Sequence, residues 1–300
     1  MFVVTYRKFF YILSTTLLVI SIGSMVAWGL NFGIDFKGGS IIEVEYEGQR
    51  PPQDALFTDL LPLELKESIR PTGDQGYIIR MRAVTPTEKE ELTSVLTQKG
   101  TIKVTEKRFD SIGPLLGTEA LRKSLASIIF VILAIVLFIA FAFRKVSEPI
   151  SSFKYGLIAI IALLHDVIIP TGVFAILGHF AGYEIDTLFV TALLVILGFS
   201  VHDTIVVFDR VRENLKHASS RKPFDEIVGE SISQTFTRSI NTSLTTLLAL
   251  VVLYIVGGEA THHFSLALII GIIAGTYSSI FVGSPLLVTV WKWQLKKGKK

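Results

Sequence analysis

The sequence predicts an α-helical membrane protein, a bundle of six spans that carries one ferredoxin-like α+β domain outside the membrane. Three observations predict it. Half of the 300 residues are apolar and the mean hydropathy is +0.55, far above a soluble globular chain. Six stretches reach the roughly 20 mostly apolar residues that a helix needs to cross a bilayer. Between the first two of them lies a long polar segment whose hydrophobic period alternates between that of a strand and that of a helix.

The spans are expected over residues 9–30, 124–143, 155–177, 187–208, 239–256 and 264–291. The first is read as an uncleaved anchor. Its apolar run exceeds the roughly 7 to 15 residues of a signal core, and Ser24-Met25-Val26-Ala27-Trp28 makes a poor cleavage site. The chain therefore divides into a first transmembrane helix with a cytoplasmic N-terminus (1–30), an extracytoplasmic domain (31–123), five further spans (124–291) and a basic cytoplasmic tail (292–300).

Orientation follows from lysine and arginine near the span ends. Arg7 and Lys8 precede span one; Arg144, Lys145 and Lys154 lie between spans two and three; Arg210, Arg212, Lys216, Arg221, Lys222 and Arg238 lie between spans four and five; Lys292, Lys296, Lys297, Lys299 and Lys300 close the chain. The alternate short loops, 178–186 and 257–263, contain neither residue. Both termini are thus expected in the cytoplasm and segment 31–123 outside.

Within that segment, 41–46, 64–70, 77–82 and 101–109 read as strands. Residues 53–61 and 87–99 read as helices, the second begun by Thr85-Pro86-Thr87-Glu88. The order βαββαβ is the ferredoxin-like plan. Loop 209–237 mixes charges with Phe208, Val211, Leu215, Phe224, Ile227, Ile232 and Phe236. It reads either as amphipathic helices lying on the cytoplasmic surface or as a solvated connector.

A charge at the bilayer centre costs about 2.5 to 3.5 kcal/mol or more, so an intramembrane carboxylate is a functional candidate. Asp166 lies near the middle of span three and Asp203 in the cytoplasmic third of span four, each directly after a histidine, His165 and His202. Arg238, at the start of span five, matches Asp203 in depth and is its expected partner. Asn241, Thr242 and Thr245 continue a polar stripe from Arg238 at helical spacing and would support water beside the pair. A mobile Arg238 would let Asp203 switch protonation; a fixed one would make a static ion pair. For Asp166 no partner is legible.

A metal site is disfavoured, since adjacent residues on a helix point about 100° apart. His262-His263 reads as a polar span boundary. With no cysteine in the chain, disulfides, thiolate metal sites and cysteine nucleophiles are excluded. Gly271, Gly275, Ser279 and Gly283 form a four-residue stripe of small side chains in span six that suits close helix packing, within the bundle or against a partner.

Four segments resemble the SecF family of protein-export membrane proteins. Gly33-Ile34-Asp35-Phe36-Lys37-Gly38-Gly39 is similar to the glycine motif shared by SecD and SecF. The stretch 198–214, GFSVHDTIVVFDRVREN, is similar to one that marks SecF; the segments beginning Ser111-Ile112-Gly113-Pro114 and His165-Asp166-Val167 are two further matches.

The resemblance implies half of a resistance-nodulation-division (RND) type bundle in the bacterial inner membrane. It implies pairing with SecD, work beside the SecYEG channel and YajC, exported unfolded polypeptide as substrate, protons as the driving ion and lipid as surroundings. Asp203 and Arg238 match the family's proton-pathway residues, with Asp166 as a further candidate. Gly33, Gly38 and Gly39, with Asp35 and Phe36, would form a hinge or a tight turn. No cofactor, nucleic acid or bond-making chemistry is implied. An RND small-molecule or lipid transporter, an intramembrane hydrolase built on a His-Asp pair, and a structural scaffold are the competing readings.

Overall fold

Continuous apolar runs become helices here, and the computed structural model describes residues 2–65, 68–143, 149–218 and 222–297. Arg144, Lys145, Arg221, Lys299 and Lys300 of the charge reading, and residues 66–67 of one expected strand, lie outside those ranges. The chain divides into two units, Met1–Asn31 with Ala126–Lys300, and Phe32–Leu125.

Six helices in the described residues are long and apolar enough to span a membrane: Arg7–Trp28, Pro114–Ala142, Phe153–Ala181, Thr187–His217, Phe224–Val256 and Thr261–Lys297. The last is interrupted by a π-helical segment, Ser278–Gly283. Spans four and five run well beyond their expected ends. Much of loop 209–237 is therefore not a set of separate surface helices but the extension of these two spans. The reason lies in its apolar residues. Val211, Phe224, Val228 and Ile232 join Val207, Phe208, Phe143, Tyr155 and Leu287 in one buried cluster, where Phe143 stacks on Tyr155 at 5.5 Å and Phe208 meets both rings edge-on.

Elsewhere several helix contacts are set by small residues. Span one buries Phe10, Ser14, Ser21 and Ser24; Ser24 Oγ donates to the Gly172 carbonyl at 3.0 Å. The stripe in span six meets span four. A Cβ added at Gly271 would lie 2.1 Å from Ile196, one at Gly275 would lie 3.1 Å from Ser200, and Ser279 Oγ sits 2.8 Å from Thr204 Oγ1. The partners advance together in steps of four residues, so the two helices run parallel. The stripe serves packing within the bundle.

The second unit holds strands β1 (Gly39–Tyr46), β2 (Ser68–Thr72), β3 (Gly76–Met81) and β4 (Val104–Ile112) with helices α1 (Gln53–Leu60) and α2 (Pro86–Leu96). The sheet order is β2-β3-β1-β4, antiparallel throughout, as the ferredoxin-like plan requires. Alternation puts Ile42, Val44 and Tyr46 of β1 on the core face, opposite Tyr77 and Ile79 of β3 and under Leu56, Leu60, Leu92 and Leu96 of the helices. Thr85 caps α2 in a reciprocal box with Glu88, satisfying two orphan donors of the first turn.

The glycine motif folds as one helical turn, Ile34–Lys37, with Phe36 buried and Asp35 half-buried. Gly33 sits before it in extended backbone, whereas Gly38 and Gly39 have φ of 76° and 139°. A Cβ at Gly38 would lie 2.7 Å from Pro114 Cα, and one at Gly39 2.8 Å from the Met81 carbonyl oxygen. Close backbone approach in the left-handed region accounts for both glycines.

Candidate functional site

The two intramembrane carboxylates occupy different surroundings. Asp166 has no exposed surface. Its Oδ2 accepts hydrogen bonds from Ser278 Oγ at 2.7 Å and from Ser200 Oγ, while Oδ1 lies 2.8 Å from His165 Nδ1. The partners come from three helices: His165 from span three, Ser200 from span four and Ser278 from the first position of the π-helical segment in span six. Gly275 adjoins this cage: a Cβ there would be in ordinary contact with Asp166 Oδ2 at 3.5 Å and in tighter contact with Ser200 Cβ at 3.1 Å. π-Helical turns collect at functional sites because they shift side chains out of α register.

His165 is 2% exposed. Its ring stacks on Tyr277 with centroids 6.1 Å apart, and its Nε2 is buried with no hydrogen-bond partner. Beneath the cage, Ser279 Oγ donates to the Ser200 carbonyl at 3.4 Å, and Ser284 Oγ donates to the Ser279 carbonyl at 2.8 Å. A chain of hydroxyls therefore lines the contact between spans four and six.

Asp203 is buried too, but held by one donor. Ser239 Oγ of span five donates to Asp203 Oδ1 at 2.5 Å, and Oδ2 has no partner. In this arrangement Asp203 bonds Ser239 rather than Arg238, its expected partner. Successive residues of a helix point about 100° apart, so with Ser239 turned to Asp203, Arg238 lies on the exposed side of span five. Asn241, Thr242 and Thr245 are exposed as well. The polar stripe exists, but it faces away from this chain's own bundle.

His202 is exposed, His263 stacks on Tyr183, and His262 meets Tyr254 at a tilt. Among the described residues no group of three His, Asp or Glu side chains is placed to hold a metal ion. Sequence reasoning missed Ser200, Ser239 and Ser278 and the hydrogen bond between His165 and Asp166. The one available signal was spacing: Ser200 precedes Asp203 by one turn, and Ser278 adjoins the small-residue stripe.

Comparison with known proteins extends this geometry. Residues 91–293 match the family model described as the C-terminal part of the protein export membrane protein SecD/SecF, and residues 23–49 match the SecD/SecF GG motif. The chain is similar to the protein translocase subunit SecF of Thermobaculum terrenum, 42% identical over 98% of this chain and 94% of the relative. It is also similar to that of Anaerolinea thermophila, 35% identical over 98% and 96%. Among solved structures it matches SecDF, a translocon-associated membrane protein from Thermus thermophilus, with a TM-score of 0.82, 30% identity and 96% of this chain covered. The match spans 38% of that longer chain.

Proposed function

Because the chain belongs to the SecD/SecF family of protein-export membrane proteins, we propose that it is a SecF-type subunit of the Sec translocase that works with SecD and uses the proton gradient to complete export of polypeptides. It sits in the bacterial cytoplasmic membrane beside SecYEG and YajC, with both termini cytoplasmic and the sheet unit outside. The bias of lysine and arginine toward alternate loops supports that orientation. The SecD half covers the exposed face of span five that carries Arg238, Asn241, Thr242 and Thr245.

The observation that carries the reading is Asp203: a carboxylate buried between spans four and five, with one oxygen bonded to Ser239 and the other free of partners. Such a group is stable when protonated, or when a cation reaches it. Rotation or tilt of span five would exchange Ser239 for Arg238, one residue away. One proton crossing about 100 mV releases about 2.3 kcal/mol, which biases a two-state motion by about fifty-fold. No bond is made or broken.

The test is completion of export into inverted membrane vesicles after the ATP-driven stage is stopped, with and without a proton gradient. The parent chain is expected to advance the stalled polypeptide only with the gradient, and Asp203→Asn not at all. Equal performance by the variant would overturn the coupling role.

A further inference from the structure

We propose that His165 and Asp166 form a second proton-holding site in the bundle core, in which serine hydroxyls fix Asp166 and the free Nε2 of His165 is the port through which the proton enters and leaves. The inference rests on the gradient-coupled reading above and adds to it a residue, His165, to which that reading gives no part.

The geometry supplies the argument. Asp166 Oδ2 is saturated by two hydroxyl donors, Ser200 and Ser278. Only Oδ1 is left for exchange, and it faces His165 Nδ1 at 2.8 Å. The other ring nitrogen is buried yet unpartnered, an arrangement that costs free energy in a static structure and that a site passing protons requires. A purely structural histidine between a carboxylate and a tyrosine ring would gain from bonding both nitrogens.

A proton reaching Nε2 makes the ring an imidazolium; the Nδ1 proton then moves to Oδ1. The result is a neutral carboxylic acid beside a neutral ring that carries its proton on Nε2. Release is the same path reversed, with one proton gained or lost in each direction.

Of the buried residues of span one, Ser21 and Ser24 meet Gly172 of span three and Phe10 and Ser14 meet Tyr277 of span six; none of them is ionisable. Span four contributes Asp203, one turn past Ser200 and bonded to Ser239. Span six contributes Tyr277, whose hydroxyl donates to the Phe10 carbonyl at 2.9 Å. With no cation among these, the pair can gain a proton without expelling an existing ion partner.

Protonation would also be felt in span six. The acid form of Asp166 accepts hydrogen bonds from Ser200 and Ser278 less strongly than the carboxylate. Ser278 opens the π-helical segment, so the site is built into the one irregular turn of that span.

The test uses the full chain purified with its co-expressed partner. Infrared difference spectra between acidic and alkaline buffer should contain a carboxyl C=O band in the parent, absent in Asp166→Asn. In His165→Gln, whose amide can still bond Asp166 but cannot carry a proton through a ring, the band should no longer respond to pH. Gradient-dependent export by His165→Gln should fall about tenfold or more with its melting temperature unchanged.

A parent spectrum with no Asp166-dependent band overturns the proposal, as does parent-like titration or export in His165→Gln. If the glutamine variant does not assemble, His165→Phe, which keeps the ring against Tyr277 but cannot carry a proton, is judged by the same two readouts. Asp203→Asn, assayed in parallel, separates the two readings. If it stops export while His165→Gln does not, only the present inference falls; if it exports like the parent, the coupling role falls while the infrared result still judges the pair.

Discussion

The two units of this molecule differ in what they bury and what they expose. The sheet unit buries large apolar side chains, Ile42, Val44, Leu60, Ile79 and Leu92 among them, and turns its charges outward. The bundle buries large apolar side chains as well, Phe174, Phe189, Leu193, Ile196 and Ile272 among them, but its interior also holds many hydroxyls, including Ser21, Ser24, Ser200, Ser239, Ser243, Ser278 and Ser279, while Phe130, Leu137, Phe138 and Val252 point outward. In water, burial of apolar surface drives folding. In lipid it gains nothing, so helices associate through close approach and hydrogen bonds. The cluster around Phe143, Tyr155 and Phe208 packs like a soluble core. The difference explains why the bundle can house two buried carboxylates: its interior already offers donors.

The same substitution should therefore have different effects in the two units. Leu92→Ala, fully buried in α2, should destabilise the sheet unit by about 2 to 5 kcal/mol. Leu137→Ala, 70% exposed in span two, should change stability by less than about 0.5 kcal/mol. Pulse proteolysis of the full chain measures both, and equal effects would break the comparison.

A second pair sharpens it within the bundle. A Cβ at Gly172 would lie 2.4 Å from Ser21 Cα, whereas at Gly156 none of the surrounding atoms comes within 4 Å. Gly172→Ala should cost about 1 to 3 kcal/mol by pushing spans one and three apart, and Gly156→Ala should be neutral or mildly stabilising. Unfolding in denaturing detergent, monitored by circular dichroism, ranks the two.

The smallest expected effect belongs to an aqueous electrostatic device in the sheet unit. Hydrogen bonds from the Arg82 side chain and then from Thr85 hold the Glu88 carboxyl down at about 2, from an ordinary value of 4.5. Its folded value is depressed, so its contribution to the cap of α2 is present above about pH 4.5 and is lost as pH falls toward about 2. Hydrogen exchange at the first turn of α2 should accelerate across that interval, and Glu88→Gln should remove the acceleration.

Much of the architecture was legible in residue pattern. Apolar runs of sufficient length give spans in any bilayer, so all six were found. Thr85-Pro86-Thr87-Glu88 is a start signal with a mechanism, and it caps α2 as read. Where the reading failed, a local pattern was judged without its neighbours. Val211, Phe224 and Ile232 look like the apolar face of surface helices, but they continue spans four and five because Phe143, Tyr155 and Leu287 are there to receive them. Arg238 matches Asp203 in depth, yet depth says nothing of rotation about the helix axis, and that rotation selects Ser239.

The sequence by itself determined that this chain crosses a membrane six times, that an α+β unit follows the first span, and that Asp166 and Asp203 are out of place in lipid. Those conclusions depend only on hydropathy, period and residue type, which are properties of the chain. The tertiary structure alone decided which donors reach each carboxylate, that His165 keeps one nitrogen without a partner, and that span six breaks into a π turn beside Asp166. Each of these depends on the azimuth and register of helices distant in the chain, and side chains separated by more than a hundred residues, such as Asp166 and Ser278, meet only when the helices that carry them pack.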